Sequence, residues 1–144
     1  MYRRILMAMD GSPAATRALD EAIRLATEDG GALCLIHVVE MPYVVDGETV
    51  DFTALAEERA EPGRRLLAEA RARVLRAGIE PEVVLTSTDG GTIGAAIVAE
   101  AKQWSADLIV LGTHGHGLVH RLLGSTAEDL VRATPVPVLL VRGE

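Results

Sequence analysis

Five short apolar runs, none longer than eight residues, punctuate the chain, with longer helix-patterned stretches between them. They are "RILMAM" at 4–9, "ALCLIHVV" at 32–39, "EVVLT" at 82–86, "DLIVL" at 107–111 and "PVLLVR" at 137–142. Runs of this length bounded by turn residues read as strands, and near-continuous apolarity suits a strand covered on both faces. The first intervening stretch opens on Ser12-Pro13, a capping residue followed by proline at the first helical position. It carries Ala18, Leu19, Ala22, Ile23, Leu25 and Ala26 at helical spacing and stops at Gly30-Gly31. Further helices are predicted over 53–77, 92–104 and 125–133, and Pro62-Gly63 inside the second predicts a kink or a late start. Strand and helix alternate throughout, so the chain is expected to be α/β: an open parallel sheet with helices on both faces.

With 144 residues and no linker or internal repeat, the chain reads as a single domain over 1–144. Hydrophobic residues make up 49% and aromatics 3%, so the core is expected to be aliphatic. A net charge of −7 argues against nucleic acid as a partner, because neutralising phosphates needs a basic face. The lone cysteine, Cys34, excludes an internal disulfide and lies in an apolar run, where a buried, inert thiol is expected. The amino-terminal residues contain no signal core, and no apolar run reaches the ~18 residues of a membrane span. A soluble, cytoplasmic protein with no membrane partner is the expectation.

Against that acidic background, the stretch "LGTHGHGLVHRLLGST" at 111–126 holds four glycines, three of the four histidines, an arginine and no acid. Glycines admit an anion close to backbone N–H groups, and Gly124-Ser125-Thr126 opens a helix whose free N–H groups and dipole favour phosphate. In open α/β sheets ligands bind beyond the carboxyl ends of strands where the strand order reverses. If the first and fourth strands are neighbours there, Asp10 and Gly112-Thr113-His114-Gly115 face one crevice. Asp10 suits a ribose hydroxyl or a metal bridging to phosphate; the blander alternative is a local acid at the start of the first helix. Together these describe a nucleotide site. A P-loop is excluded, since Lys102 is the only lysine and lies within a helix, and no dinucleotide fingerprint follows the first strand.

The residues "RILMAMDGSPAATRALDEAIRLA", "LCLIHVVE" and "ADLIVLGTHGHGLVHRLLGSTAEDLVRATPVPVLLVR" together resemble the universal stress protein family over nearly the whole chain. The resemblance implies a Rossmann-like, adenine nucleotide alpha hydrolase-like fold, with five parallel strands ordered 3-2-1-4-5. Nucleotide-binding members carry Gly, two residues, Gly, nine residues, then Gly and Ser or Thr. Gly112, Gly115 and Gly124-Ser125 fit that pattern, but eight residues, "HGLVHRLL", separate Gly115 from Gly124. By resemblance, Ala8 and Leu111 line the base and sugar pocket, and the Val38 backbone reads the adenine edge. Asp10 meets ribose or a Mg2+ or Mn2+ ion carried by the nucleotide. Gly112, Gly115, Gly124 and Ser125 hold phosphates, with Thr126 at the same helix start and His114 and His116 in the loop nearby.

The expected function is that of a stress-response protein that binds ATP (or ADP or AMP) and acts as a nucleotide-dependent sensor or adaptor toward a protein partner the sequence does not identify. Hydrolysis or autophosphorylation is expected to be slow at most. The alternative is a dimeric interaction protein of the same fold that binds no nucleotide. A homodimer through the last strand is expected, because an apolar edge strand invites pairing. Elsewhere, bland roles are expected: His37 as a satisfied strand residue, Trp104 as packing, the arginines of the long helix as a solvated face, and the loop histidines as solvated groups rather than zinc ligands. Ser125 and His120 lack an orienting acid nearby in sequence, so no nucleophilic dyad is expected.

Overall fold

The computed structural model describes residues 2–41, 52–114 and 124–143. Its elements run β1 (Arg4–Ala8), α1 (Pro13–Asp29), β2 (Ala32–Val39), α2 (Phe52–Arg76), β3 (Glu82–Ser87), α3 (Ile93–Trp104), β4 (Leu108–His114), α4 (Ser125–Ala133) and β5 (Val138–Gly143). The five strands form one sheet in the order β3-β2-β1-β4-β5, with every neighbouring pair parallel. The order reverses between β1 and β4, as expected.

Period-two alternation along the strands divides the core in two. Ile5, Met7, Leu33, Leu35, Leu108 and Val110 face α1 and α2, where Ala18, Leu19, Ala22, Leu67 and Val74 meet them. Leu6, Ala8, Cys34, Ile36, Val38, Ile109 and Leu111 face α3 and α4, which contribute Ile97, Ala101, Ala127 and Leu130. Burial pushes the Cys34 thiol up to about 12, so it stays protonated and inert at neutral pH.

Two elements depart from the sequence reading. β4 runs three residues past its apolar stretch, because β5 continues beside it: Gly112 pairs Val141, Thr113 pairs Arg142 and His114 pairs Gly143. Gly112, Thr113 and His114 are therefore strand residues, not the start of a loop. The second departure is α2, which makes no late start: it is helical from Phe52 through Pro62 and Gly63 to Arg76. Gly63 explains why a glycine is tolerated there. A Cβ at that position would run into the His37 ring and come within 3.2 Å of Leu85 Cδ1, so the missing side chain is what lets α2 lie on β2 and β3.

The opposite end of the sheet is tied by Asp107, which accepts from the Arg3 and Arg4 amides at 2.9 and 3.0 Å. Trp104 is more than packing. Its Nε1 donates to Glu82 Oε2 at 2.6 Å, and the Arg4 guanidinium stands 4.0 Å from its ring centre. Among the described residues no helix is long and apolar enough to cross a membrane.

Candidate functional site

Beyond the carboxyl ends of β1, β2 and β4 lies a cleft of about 370 Å³, within the range of small-molecule sites. Its floor is apolar, built from Ala8, Ile36, Val38 and Leu111 on the sheet face that packs α3 and α4. Ile93 and Ile97, one turn apart on α3, form one wall, and Gly124 to Ala127 at the start of α4 form another. Asp10, His37 and Glu40 bring the titratable groups.

Asp10 is placed by the turn that leads into α1. Its Oδ1 accepts from the Ser12 amide at 2.9 Å and the Ser12 hydroxyl at 2.6 Å, while Ser12 Oγ accepts from the Ala15 amide at 3.1 Å. Gly11, at φ +82°, makes the turn without a side-chain clash. Asp10 thus does perform the local role open to it, and it lines the cleft as well. Its Oδ2 takes no hydrogen bond among the described residues.

Val38 offers backbone groups. In a strand, alternate residues turn their N–H and C=O toward opposite neighbours. The Ile36 carbonyl accepts from the Met9 amide at 2.8 Å, on the β1 side, and the Val39 carbonyl accepts from the Thr88 amide at 3.0 Å, on the β3 side. Val38 shares the parity of Ile36, but the β1 register ends at Ala8. Its backbone pair therefore points past the end of β1, where the cleft lies.

The start of α4 differs from those of α1 and α3. Ser12 caps α1 and Thr92 caps α3 through their side chains, whereas Gly124, at φ −74° and ψ 170°, makes no side-chain cap to α4. The first backbone N–H groups of α4 lack intrahelical partners, carry the positive end of the helix dipole and border the cleft. An anion is the natural complement to such a terminus.

The cleft thus gathers Ala8, Asp10, Val38, Leu111, Gly112, Gly124, Ser125 and Thr126, all singled out by sequence. Gly112 owes its lack of a side chain to packing: a Cβ there would lie 2.5 Å from Ala14 C. His114 ends β4, and Gly115 and His116 lie outside the described residues. Sequence reasoning placed Thr113 at the crevice with its neighbours but missed Ile36, His37, Glu40, Ile93, Ile97 and Ala127 as lining residues. Ile36 was within reach, since it sits two residues from Val38 on the same strand face. The Ile93/Ile97 pair shows helical spacing, yet nothing in it says which helix walls the cleft. His37 is satisfied, as expected: its Nδ1–H donates to the Met9 carbonyl at 2.7 Å. Among the described residues, no group of three or more His, Cys, Asp or Glu is arranged to hold a metal ion.

A family model described as the universal stress protein family matches residues 1–142. The chain is 38% identical to a universal stress protein of Thermus aquaticus, named for the QAH/OAS sulfhydrylase 3′ region, over 99% of this chain and 100% of that one. Among solved structures, a universal stress protein family member from Burkholderia pseudomallei superposes with a TM-score of 0.79 at 34% identity, covering 97% of this chain and 96% of that one. The universal stress protein of Archaeoglobus fulgidus in complex with dAMP is similar at a TM-score of 0.66 and 26% identity, over 97% of this chain and 98% of that one.

Proposed function

The chain belongs to the universal stress protein family, and on that premise we propose that it binds an adenine nucleotide in the cleft beyond β1 and β4, acting as a nucleotide-dependent sensor or adaptor. The preferred ligand in this reading is ATP with Mg2+ or Mn2+. One observation carries the proposal: a single cleft joins an apolar floor to two sets of backbone polar groups, those of Val38 and those of the uncapped α4 terminus. The dAMP complex of the related Archaeoglobus protein supports it.

In this reading adenine lies on Ala8, Leu111 and their apolar neighbours, with its edge paired to the Val38 backbone. Asp10 Oδ2 meets a ribose hydroxyl or the divalent ion. Backbone groups of Gly112, Gly124, Ser125 and Thr126 take the phosphates, together with Gly115, His114 and His116 from the connecting stretch. Bound nucleotide supplies charge and a surface for a partner to read; the protein's own residues bind and orient it, and hydrolysis is slow at most. The homodimer belongs to the same proposal. β5 is an edge of the sheet, and its residues Val138 to Val141 are only partly buried, which suits pairing with a second copy.

Isothermal titration with ATP and magnesium tests the binding, using Ser125→Pro and Ser125→Ala. Ser125 is the first helical residue of α4, where proline is tolerated, and the ψ of 170° at Gly124 is compatible with a following proline. Ser125→Pro therefore removes one donor with little effect on the fold. It is expected to weaken ATP by roughly 10-fold or more relative to Ser125→Ala, the size of one charge-assisted hydrogen bond. Equal affinities for the two variants would take the α4 terminus out of the site.

A further inference from the structure

We infer that Thr92 and Asp129 are a positioning pair that holds the start of α4 against α3 and so sets how strongly the cleft grips a phosphate-bearing ligand, an inference that rests on the nucleotide reading above. Thr92 caps α3, its Oγ1 accepting from the Ala95 amide at 3.1 Å. The same hydroxyl donates to Asp129 Oδ2 at 2.6 Å, joining residues 37 apart in sequence. The two helices are in close contact at this point. A Cβ on the buried Gly94 would collide with Asp129 Oδ2 and lie 3.1 Å from Asp129 Cβ and Cγ. Gly94 is thus what allows the carboxylate to lie on the first turn of α3.

The pair is close to the cleft without lining it. Ile93, next to Thr92, belongs to one wall, and Ser125, four residues before Asp129 and so on the same side of α4, belongs to the other. Hydrogen bonds weaken steeply with misalignment. A tilt of α4 relative to α3 would therefore degrade the donors of Ser125 and Thr126 while leaving the apolar floor in place.

Charge and position make opposite predictions here. A carboxylate near the phosphate end repels an anion, so if its charge were all that mattered, removing it would tighten binding. If Asp129 positions α4, removing the acceptor weakens phosphate binding, and Asp129→Asn, which keeps an acceptor for the Thr92 hydroxyl, rescues it. The experiment is titration of wild type, Asp129→Ala and Asp129→Asn with AMP and with adenosine, each variant first shown to unfold cooperatively. Asp129→Ala is expected to bind AMP about 10-fold more weakly, with adenosine within about 2-fold of wild type and Asp129→Asn restored for AMP. AMP binding unchanged or tighter in Asp129→Ala, or equal weakening of AMP and adenosine, overturns the inference. Wild type that binds neither ligand removes the nucleotide reading instead. The pair is then judged by amide exchange without ligand, at Glu128, whose N–H donates to the Gly124 carbonyl at 3.0 Å. Faster exchange in Asp129→Ala than in wild type supports the pair; equal exchange overturns it.

Discussion

At Gly112 the backbone of α1 stands where a side chain would go: a Cβ would lie 2.5 Å from Ala14 C and 2.6 Å from Ala14 O and Ala15 N. Gly143, its neighbour across the β4–β5 ladder through His114, is crowded by the same helix: a Cβ there would lie 2.9 Å from Ala14 Cα. These contacts seat the first turn of α1 on the ends of β4 and β5, and the Asp10 turn is held in consequence. Backbone cannot swing aside as a flexible side chain can. Gly112→Ala is therefore expected to destabilise the fold by about 2–3 kcal/mol, toward the upper end for overpacking, as read from chemical denaturation. A change within experimental error would show that α1 yields easily. The sequence marked Gly112 as a site residue through its glycine-rich setting, and it does line the cleft. What it did not show is the packing demand, because Ala14 is distant along the chain and its approach depends on how α1 crosses the sheet.

On the scale of elements, α2 sets two opposed effects side by side. Pro62 lies inside the helix, where it removes one backbone hydrogen bond and crowds the preceding turn. Gly63 next to it leaves room for the His37 ring. Pro62→Ala is expected to raise stability by about 2 kcal/mol, the helix-interior penalty of proline less the entropy it removes from the unfolded chain. Gly63→Ala is expected to lower stability by roughly 1 kcal/mol or more, because the clash with His37 outweighs the better helix propensity of alanine. Thermal melts of the two variants check both signs, and the same sign for both would contradict this account of α2. The Pro-Gly pair was visible in the sequence, and local rules predicted a kink or a late start; the late start is overturned, since α2 is helical from Phe52. The reason for Gly63, its packing against His37 and Leu85, lies in distant parts of the chain. The strands were easier to read because their signal is contiguous: all five apolar runs are strands, and the only run that ends far from its strand is "DLIVL". There β5 extends the ladder through Gly112, Thr113 and His114, a pairing no local pattern contains.

For the whole molecule, strand order decides what meets. Placing β1 beside β4 brings the Asp10 turn, the Val38 backbone and the start of α4 around one cleft, from three widely separated parts of the chain. The glycine-rich stretch and Asp10 could be picked out by chemistry alone, and the resemblance joined them. The α3 wall and the Thr92–Asp129 contact could not, since they depend on how two helices cross. At this scale the proposed β5 dimer predicts a sedimentation-equilibrium mass twice that of the 15.3 kDa chain at micromolar concentration; the mass of one chain would remove it. Whether an adenine nucleotide occupies this cleft is read by titrating isotope-labelled protein with ATP and magnesium and following amide chemical shifts. Saturable shifts are expected at Val38, Gly124, Ser125 and Thr126, with Val83 on the far edge strand and Leu75 near the end of α2 unmoved. Unchanged spectra at millimolar ATP, or shifts that leave those four amides untouched, would contradict that occupancy.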